Sequence, residues 1–303
     1  MSKSGRILVY LANGAQGGAV AREAARRGFA VTALVRDPGK STALARVGID
    51  LARGDLADAS SLQAAHAGVR AVVLQVPIGP PEIVRGFAAN AVAAAKAARV
   101  DCLILKLASA SRPAPCEEQS FVANNEIETM VRSACLPFAI VRPTMYLDNL
   151  LKQGVRQDVA AGMIQMPIDA SQRIAWTSVD DCAAAALTLI ETRAYGGDHL
   201  ISGPDSVTGA ELAAALSSGL GRRVTYHSEQ VEAFERSVDA AMGPGIGRRV
   251  ASKFRYFQNH REDADAILAP AYVDRPGLEG FRPNSIETWA RRHAGAFDEA
   301  ALR

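Results

Sequence analysis

Short apolar runs alternate with helix-like patterns through the first half of this 303-residue chain. Six segments, most of them runs of apolar residues, predict strands at 7–11, 30–35, 50–53, 71–76, 103–107 and 138–141. Patterns of helical period lie between them, at 17–27, 41–47, 59–67, 82–98 and 119–134. Strands that are apolar on both faces and separated by helices form a parallel sheet covered on each side.

This alternation predicts a doubly wound α/β fold. Right-handed crossovers place helices on both faces of such a sheet, and its ligands bind at the carboxyl ends of the strands. We expect this lobe to span 1–146. The rhythm changes afterwards, and 147–303 is expected to form a smaller α+β lobe with some strands returning to the main sheet. In that lobe the sequence predicts a hairpin around 161–162 and a Thr208-capped helix over 209–219.

Composition excludes several classes of function. The net charge is +2, and basic residues form no block, so nucleic acid is not an expected partner. No stretch has the roughly 18 consecutive apolar residues of a membrane span. The four cysteines show no CxxC spacing and the five histidines no metal-binding spacing, so no metal site or structural disulfide is expected. A reducing cytoplasm fits this cysteine usage, and a homodimer is one assembly compatible with the sequence.

A glycine-bearing loop follows the first predicted strand and precedes the first helix. Helix N-terminal amides bind a pyrophosphate where the backbone can approach it closely. The sequence therefore predicts a dinucleotide site that includes Asn13, Gly14, Ala15, Gln16 and Gly17.

One residue of this loop departs from the usual pattern. Leu11 occupies the position where such loops begin with glycine. A leucine with positive φ costs about 1–2 kcal/mol. Either the turn adopts ordinary angles, or binding weakens by up to about tenfold. A nucleotide fold with a vestigial site is the remaining alternative.

The end of the second strand indicates which dinucleotide is preferred. A carboxylate at that position would bind a ribose 2′-hydroxyl and repel a 2′-phosphate, whereas arginine does the reverse. Arg36 lies there, with Lys40 nearby. We therefore predict binding of NADP(H) in preference to NAD(H); the alternative is that Arg36 is an ordinary surface residue.

The stretch LANGAQGGAVAREAARRGFAVTALVRDP resembles the NmrA-like branch of the atypical short-chain dehydrogenase/reductases. Further matches occur in order along the chain, at 54–58, 138–150, 177–181, 202–208 and 281–293. The resemblance covers nearly the whole chain. It implies a Rossmann lobe with an NAD(P) site.

The same resemblance implies roles for individual residues outside the loop. Asp55 and Leu56 are expected beside the adenine, and three residues are expected along the cofactor: Gln75, Val76 and Pro77. A substrate pocket is expected to include Thr144, Met145, Tyr146 and Asn149.

The usual catalytic pair is absent. Typical short-chain dehydrogenases use a tyrosine with a lysine four residues later, and the aligned helix has Ser120 and Asn124 at these positions. Asn124 can hydrogen-bond a ribose or a substrate, but it carries no charge. Lys106 is a candidate replacement because a lysine in an apolar strand must reach a cleft or partner, unless it snorkels to solvent. Tyr146 offers a phenol near the expected nicotinamide.

Two functions are favoured on these grounds, and a non-redox lyase or isomerase on the same scaffold and a protein that no longer binds nucleotide are further alternatives. The first is an NADPH-dependent reductase of a small quinone-like or conjugated substrate, whose product anion is delocalised and needs no strong acid. The second is a non-catalytic NADP(H)-binding redox sensor that acts on a regulatory protein partner.

Overall fold

All six strands predicted in the first half of the chain are present, some with slightly different ends. The structure is a computed structural model and describes residues 5–298; the outermost residues of the two predicted lobes, 1–4 and 299–303, lie outside this range. The nine strands of the described residues are β1 (Arg6–Val9), β2 (Ala30–Val35), β3 (Asp50–Arg53), β4 (Val69–Leu74), β5 (Cys102–Lys106), β6 (Phe138–Pro143), β7 (Met163–Met166), β8 (Asp198–Ile201) and β9 (Thr225–Ser228).

Helices connect these strands. The α-helices of the described residues are α1 (Ala15–Arg26), α2 (Thr42–Ala45), α3 (Ala59–Ala65), α4 (Pro81–Ala97), α5 (Gln119–Arg132), α6 (Val155–Ala160), α7 (Val179–Thr192), α8 (Gly209–Leu220), α9 (Val231–Met242), α10 (Ile246–Asn259), α11 (Arg261–Leu268) and α12 (Ile286–His293). Three 3₁₀ helices lie at Pro38–Lys40, Leu147–Leu151 and Ala294–Phe297.

The chain divides into two units. The first comprises Met1–Pro143, Val179–Ile201 and Asp274–Phe281, so it takes two segments from beyond residue 146. The second comprises Thr144–Ser178, Ser202–Val273 and Arg282–Arg303.

The first unit contains a seven-stranded sheet in the order β3-β2-β1-β4-β5-β6-β8. Every neighbouring pair is parallel, and the strand order reverses between β1 and β4. The predicted doubly wound, Rossmann-type sheet is therefore confirmed. Ligands of such sheets bind where the order reverses, outside the carboxyl ends of the strands.

Two groups of helices cover this sheet. Buried side chains of α3, α4 and α5 form one hydrophobic cluster with strand residues such as Leu8, Val72 and Leu105. Helices α1 and α7 pack against each other, and Arg27 at the end of α1 donates to Glu191 of α7 at 2.9 Å. This ion pair fastens the C-terminal end of α1 to α7.

The second unit contains a separate two-stranded sheet. Strands β7 and β9 pair in parallel, with Met163 opposite Thr225. The predicted hairpin around 161–162 is therefore wrong: Gly162, at φ +88°, turns the chain out of α6, and its carbonyl accepts from the Thr225 amide at 2.9 Å. The predicted cap of α8 is confirmed, since Thr208 and Glu211 form a reciprocal capping box.

Between residues 5 and 298, helices are too short or too polar to cross a bilayer.

Candidate functional site

The loop after β1 keeps a left-handed turn although leucine replaces glycine there. Leu11 has φ +52°, and its carbonyl oxygen accepts a hydrogen bond from the Gly14 amide at 2.9 Å. The first alternative for this turn, ordinary backbone angles, is therefore wrong. The Leu11 side chain is partly buried against the core of the unit, and this packing offsets part of the backbone strain.

Gly17 is required by the close approach of α1 to the strand. A Cβ atom at this position would lie 2.4 Å from the Leu11 carbonyl oxygen and 2.5 Å from that of Tyr10. Contacts this short do not occur without movement of the backbone. Glycine at position 17 therefore allows the first turn of α1 to pack directly against the backbone of residues 10 and 11.

The first turn of α1 offers amides without competing groups. Gly14 is its N-cap, with no side-chain capping bond, and the first turn carries no acidic residue. First-turn amides have no acceptor within their own helix. Asn13, Gly14 and Ala15 are exposed. The predicted loop residues are thus brought together as an exposed, uncapped helix start that favours an anion.

The segment after β2 is tied to this loop. Asn13 donates from its side-chain amide to the Ser41 hydroxyl at 2.8 Å, and Ser41 donates to the Asp37 carbonyl oxygen at 2.9 Å. Ser41 is buried and was not predicted as a site residue. Its contact spans 28 positions, and no local pattern signals a contact of that range.

The two predicted 2′-phosphate ligands differ in their surroundings. Arg36 is exposed and has no hydrogen bond or ion pair with any residue in the part of the chain that the structure describes. Lys40 forms an ion pair with Asp37 at 3.8 Å. Arg36 is therefore the more available of the two cations, because no internal partner holds its guanidinium.

Three predicted residues from three strand ends meet beside the loop. Gln16 lies in the first turn after β1, Gln75 follows β4, and Lys106 ends β5. The side-chain oxygen of Gln16 accepts from Lys106 Nζ at 2.5 Å and from Gln75 Nε2 at 3.0 Å. Lys106 is only 1% exposed, so the alternative that it snorkels to solvent is wrong.

Gln75 leaves one polar atom without a partner. Its side chain is 8% exposed, and its Oε1 has no hydrogen-bond partner among residues 5–298. An unsatisfied buried acceptor is costly. An N–H or O–H donor of a ligand at this strand end would satisfy it. Val76 and Pro77, which follow, are half-buried.

Asp55 and Leu56 follow β3. The Asp55 carboxylate accepts from the Ala57 amide at 2.9 Å, and the Leu56 carbonyl accepts from the Asn90 side chain at 2.9 Å. Leu56 is buried, whereas Asp55 is exposed. Their predicted position beside an adenine stays a prediction.

Asn124 fastens the segment after β5 to helix α5. Its amide donates to the Ser109 hydroxyl at 3.1 Å and to the Ala110 carbonyl oxygen at 2.7 Å. Ser120, at the position of the missing tyrosine, donates to Glu118 at 2.6 Å. Both side chains that stand in for the usual catalytic pair are therefore occupied by internal hydrogen bonds.

The four predicted substrate residues lie in the second unit. The Thr144 hydroxyl donates to the Ala175 carbonyl, and the Met145 carbonyl accepts from the Thr177 amide at 2.9 Å. Tyr146 is 5% exposed and Asn149 is half-buried. Their role toward a substrate stays a prediction.

Two titratable side chains in the core under the loop are uncharged. Tyr10 and His66 lie with their ring centroids 6.0 Å apart. Burial raises the pKa of the Tyr10 phenol and lowers the pKa of His66 below its usual value. Both groups are therefore neutral near pH 7 and contribute no charge beneath the loop. Residues 5–298 contain no group of three or more histidine, cysteine or acidic side chains that could hold a metal ion.

Comparison with known proteins agrees with this architecture. A model of the NmrA-like family matches residues 3–288. NAD(P)H azoreductase of Xenophilus azovorans is 29% identical over 240 residues, which cover 77% of this chain and 80% of that protein.

Two solved structures share the fold. Triphenylmethane reductase of Citrobacter sp., complexed with NADP(H), has a TM-score of 0.76 and 21% identity, covering 95% of this chain and 99% of that chain. NmrA, a negative transcriptional regulator in complex with NADP, has a TM-score of 0.73 and 19% identity, covering 99% and 98%. The predicted resemblance is confirmed: the chain belongs to the NmrA-like family.

Proposed function

We propose that the protein is an NADP(H)-dependent reductase of a small conjugated acceptor, such as a quinone. The observation that carries this proposal is the Gln16 network, in which Lys106 and Gln75 both donate to the Gln16 side-chain oxygen. It places a buried cation and an unsatisfied acceptor beside the phosphate loop, at the strand ends where ligands of this fold bind.

The residues present fit an NADP(H) cofactor. The amides of residues 15–17 would hold the pyrophosphate at the uncapped start of α1, since the Gly14 amide donates to Leu11. Arg36 would pair with the 2′-phosphate, since its guanidinium has no other partner among the described residues. Gln75 Oε1 would accept from a cofactor N–H or O–H group. Bound here, NADPH would supply a hydride.

Lys106 supplies charge at the reacting end of this site. Hydride addition to a quinone leaves an anion that is delocalised over the conjugated system. A fixed ammonium in a buried position stabilises such an anion more strongly than water does, because it needs no reorganisation. This anion then takes up one proton from solvent to give the hydroquinone, so no tyrosine is required.

The relatives support this choice of acceptor. The proteins similar to this chain include an azoreductase and a triphenylmethane reductase. Both names describe reduction of an extended conjugated system. Such an acceptor can be reduced without a tyrosine as proton donor, because its product anion is delocalised.

The direct test combines turnover with binding. NADPH oxidation is followed with 1,4-benzoquinone, 1,4-naphthoquinone and an azo dye, and thermal unfolding is recorded with NADPH, NADP⁺ and NADH. We expect turnover of at least one acceptor and a larger thermal shift with NADPH than with NADH. No oxidation with any acceptor contradicts the reductase, and equal shifts with the two coenzymes contradict the role of Arg36.

A second function is favoured by one observation, the internal hydrogen bonds of Asn124 and Ser120. With the catalytic positions occupied in this way, the protein could bind NADP(H) and act as a redox sensor on a partner protein. NmrA, with the same fold, is a negative transcriptional regulator. Stabilisation by NADPH without turnover of any acceptor would favour the sensor.

A further inference from the structure

The segment from the end of β4 into the first turn of α4 is apolar although part of it is exposed. Residues 76–83 read Val-Pro-Ile-Gly-Pro-Pro-Glu-Ile, and we call them the apolar rim. Only Glu82 among them has a side chain that can form a hydrogen bond. Ile78 is 72% exposed and Ile83 is 46% exposed.

The position of this exposure is informative. Single exposed apolar residues are common and need no explanation. Six large hydrophobic side chains are exposed in the described part of the chain, however, and two of the six lie in this one segment. The segment begins one residue after Gln75, so it continues directly from the Gln16 network at the carboxyl edge of the sheet.

The rim is also held in one conformation. Prolines at 77, 80 and 81 fix three φ angles and remove three amide donors. The Pro80 carbonyl oxygen accepts from the amides of Ile83 and Val84, each at 3.0 Å. A Cβ at Gly79 would lie 3.4 Å from Val84, so the loop folds back onto the start of α4. A rigid apolar surface binds a flat ligand at little entropic cost.

We propose that the apolar rim binds one face of the acceptor, and that Ile78 and Ile83 give the site its preference for planar acceptors with a large apolar surface. This inference rests on the proposed reductase function and names the substrate class of that site. Hydroxyl-rich substrates such as sugars are disfavoured, because the rim offers almost no partners to replace the hydrogen bonds that these substrates make with water.

The test measures acceptor binding separately from turnover. Dissociation constants for 1,4-naphthoquinone and for the smaller 1,4-benzoquinone are measured by calorimetry, with and without NADP⁺. The proteins are the wild type, Ile78→Ser, Ile83→Ser and the control Val47→Ser. Val47 is 56% exposed but precedes β3, so it lies toward the amino ends of the strands, whereas the apolar rim follows a carboxyl end.

We expect each rim variant to weaken naphthoquinone binding by about tenfold, the effect of losing part of the apolar contact of one isoleucine. Benzoquinone binding should weaken less, and Val47→Ser should bind like the wild type. A further variant, Ile78→Val, keeps most of the apolar contact and should retain most of the affinity. The thermal shift with NADP⁺ should be unchanged in every variant.

Several results would overturn the rim proposal. These are equal naphthoquinone affinity in the rim variants and the control, equal losses for both quinones, and no binding to the wild type under either condition. Absence of NADPH oxidation by a wild-type protein that still binds naphthoquinone through Ile78 and Ile83 would instead contradict the reductase function and leave the rim intact.

Discussion

The phosphate loop, residues 10–18, and the region from Lys106 to Asn124 respond differently to departures from the usual pattern. In the loop, leucine replaces a glycine and the backbone still adopts the glycine conformation, at φ +52°. In the second region, serine and asparagine replace the tyrosine and lysine, and both form internal hydrogen bonds instead.

The difference follows from what each region presents to a ligand. The loop presents backbone amides, which every residue except proline carries, so a side-chain change costs only strain. The second region presents side-chain chemistry, and an amide cannot replace an ammonium. The lysine that this chain has beside the loop, Lys106, comes from a different strand end.

The largest effect is expected from Gly17→Ala, which tests whether the loop depends on its backbone geometry. The added Cβ would collide with the Leu11 and Tyr10 carbonyl oxygens. We expect a loss of about 1–3 kcal/mol in the free energy of unfolding and no thermal shift with NADPH. The matched control is Gly86→Ala in α4, where a Cβ meets nothing within 4 Å. Normal NADPH binding by Gly17→Ala would show that close approach is not needed.

Lys106→Met tests the second region. Removing the ammonium should lower kcat for 1,4-naphthoquinone by about 100-fold, the scale of one lost electrostatic contact in an active site. NADPH affinity should change little, because the loop amides remain. Lys96→Met, an exposed lysine of α4, serves as control. Unchanged kcat in Lys106→Met would contradict the catalytic role of Lys106.

Arg36→Asp separates the two coenzymes. A carboxylate at this position repels a 2′-phosphate, and we expect NADPH to bind about tenfold or more weakly, while NADH binds equally or better. Titration by tryptophan fluorescence measures both constants. Arg46→Asp makes the same charge change before β3 and should have no effect. If Arg36→Asp retains the wild-type ratio of NADPH to NADH affinity, as the control Arg46→Asp should, the assignment of Arg36 to the 2′-phosphate is contradicted.

The smallest effect is expected from Leu11→Gly. Relief of about 1–2 kcal/mol of backbone strain is opposed by lost side-chain packing and by the greater chain entropy of glycine. We expect the free energy of unfolding to change by less than about 1 kcal/mol and the NADPH dissociation constant by less than about threefold. A tenfold gain in affinity would show that leucine impairs the loop. Chemical denaturation and calorimetry provide the two measurements.

Some site positions were predictable because they follow from local order along the chain. Gln16, Gln75 and Lys106 each come at or just after a strand whose apolar run is visible in the sequence. Parallel strands bring their carboxyl ends to one edge, which accounts for the meeting of these residues. Ser41 and the orphaned Gln75 oxygen had no such signal, because they depend on contacts between distant segments.

The second unit shows that a local sequence pattern does not determine which strands pair. Gly162 signals a turn in the sequence, but a turn does not specify the partner of the strand that follows. A hairpin was predicted from adjacency, whereas β7 pairs in parallel with β9, about sixty residues later.

The sequence by itself determined the parallel sheet, the glycine-bearing loop at its first strand and the loss of the tyrosine and lysine. Each of these can be recognised from residue types and their spacing, because local sterics and burial relate such patterns directly to secondary structure. Only the tertiary structure decided that Leu11 keeps positive φ and that Lys106 is buried against Gln16. Both outcomes depend on packing among segments far apart in the chain, and that packing outweighs the local preference of a single residue.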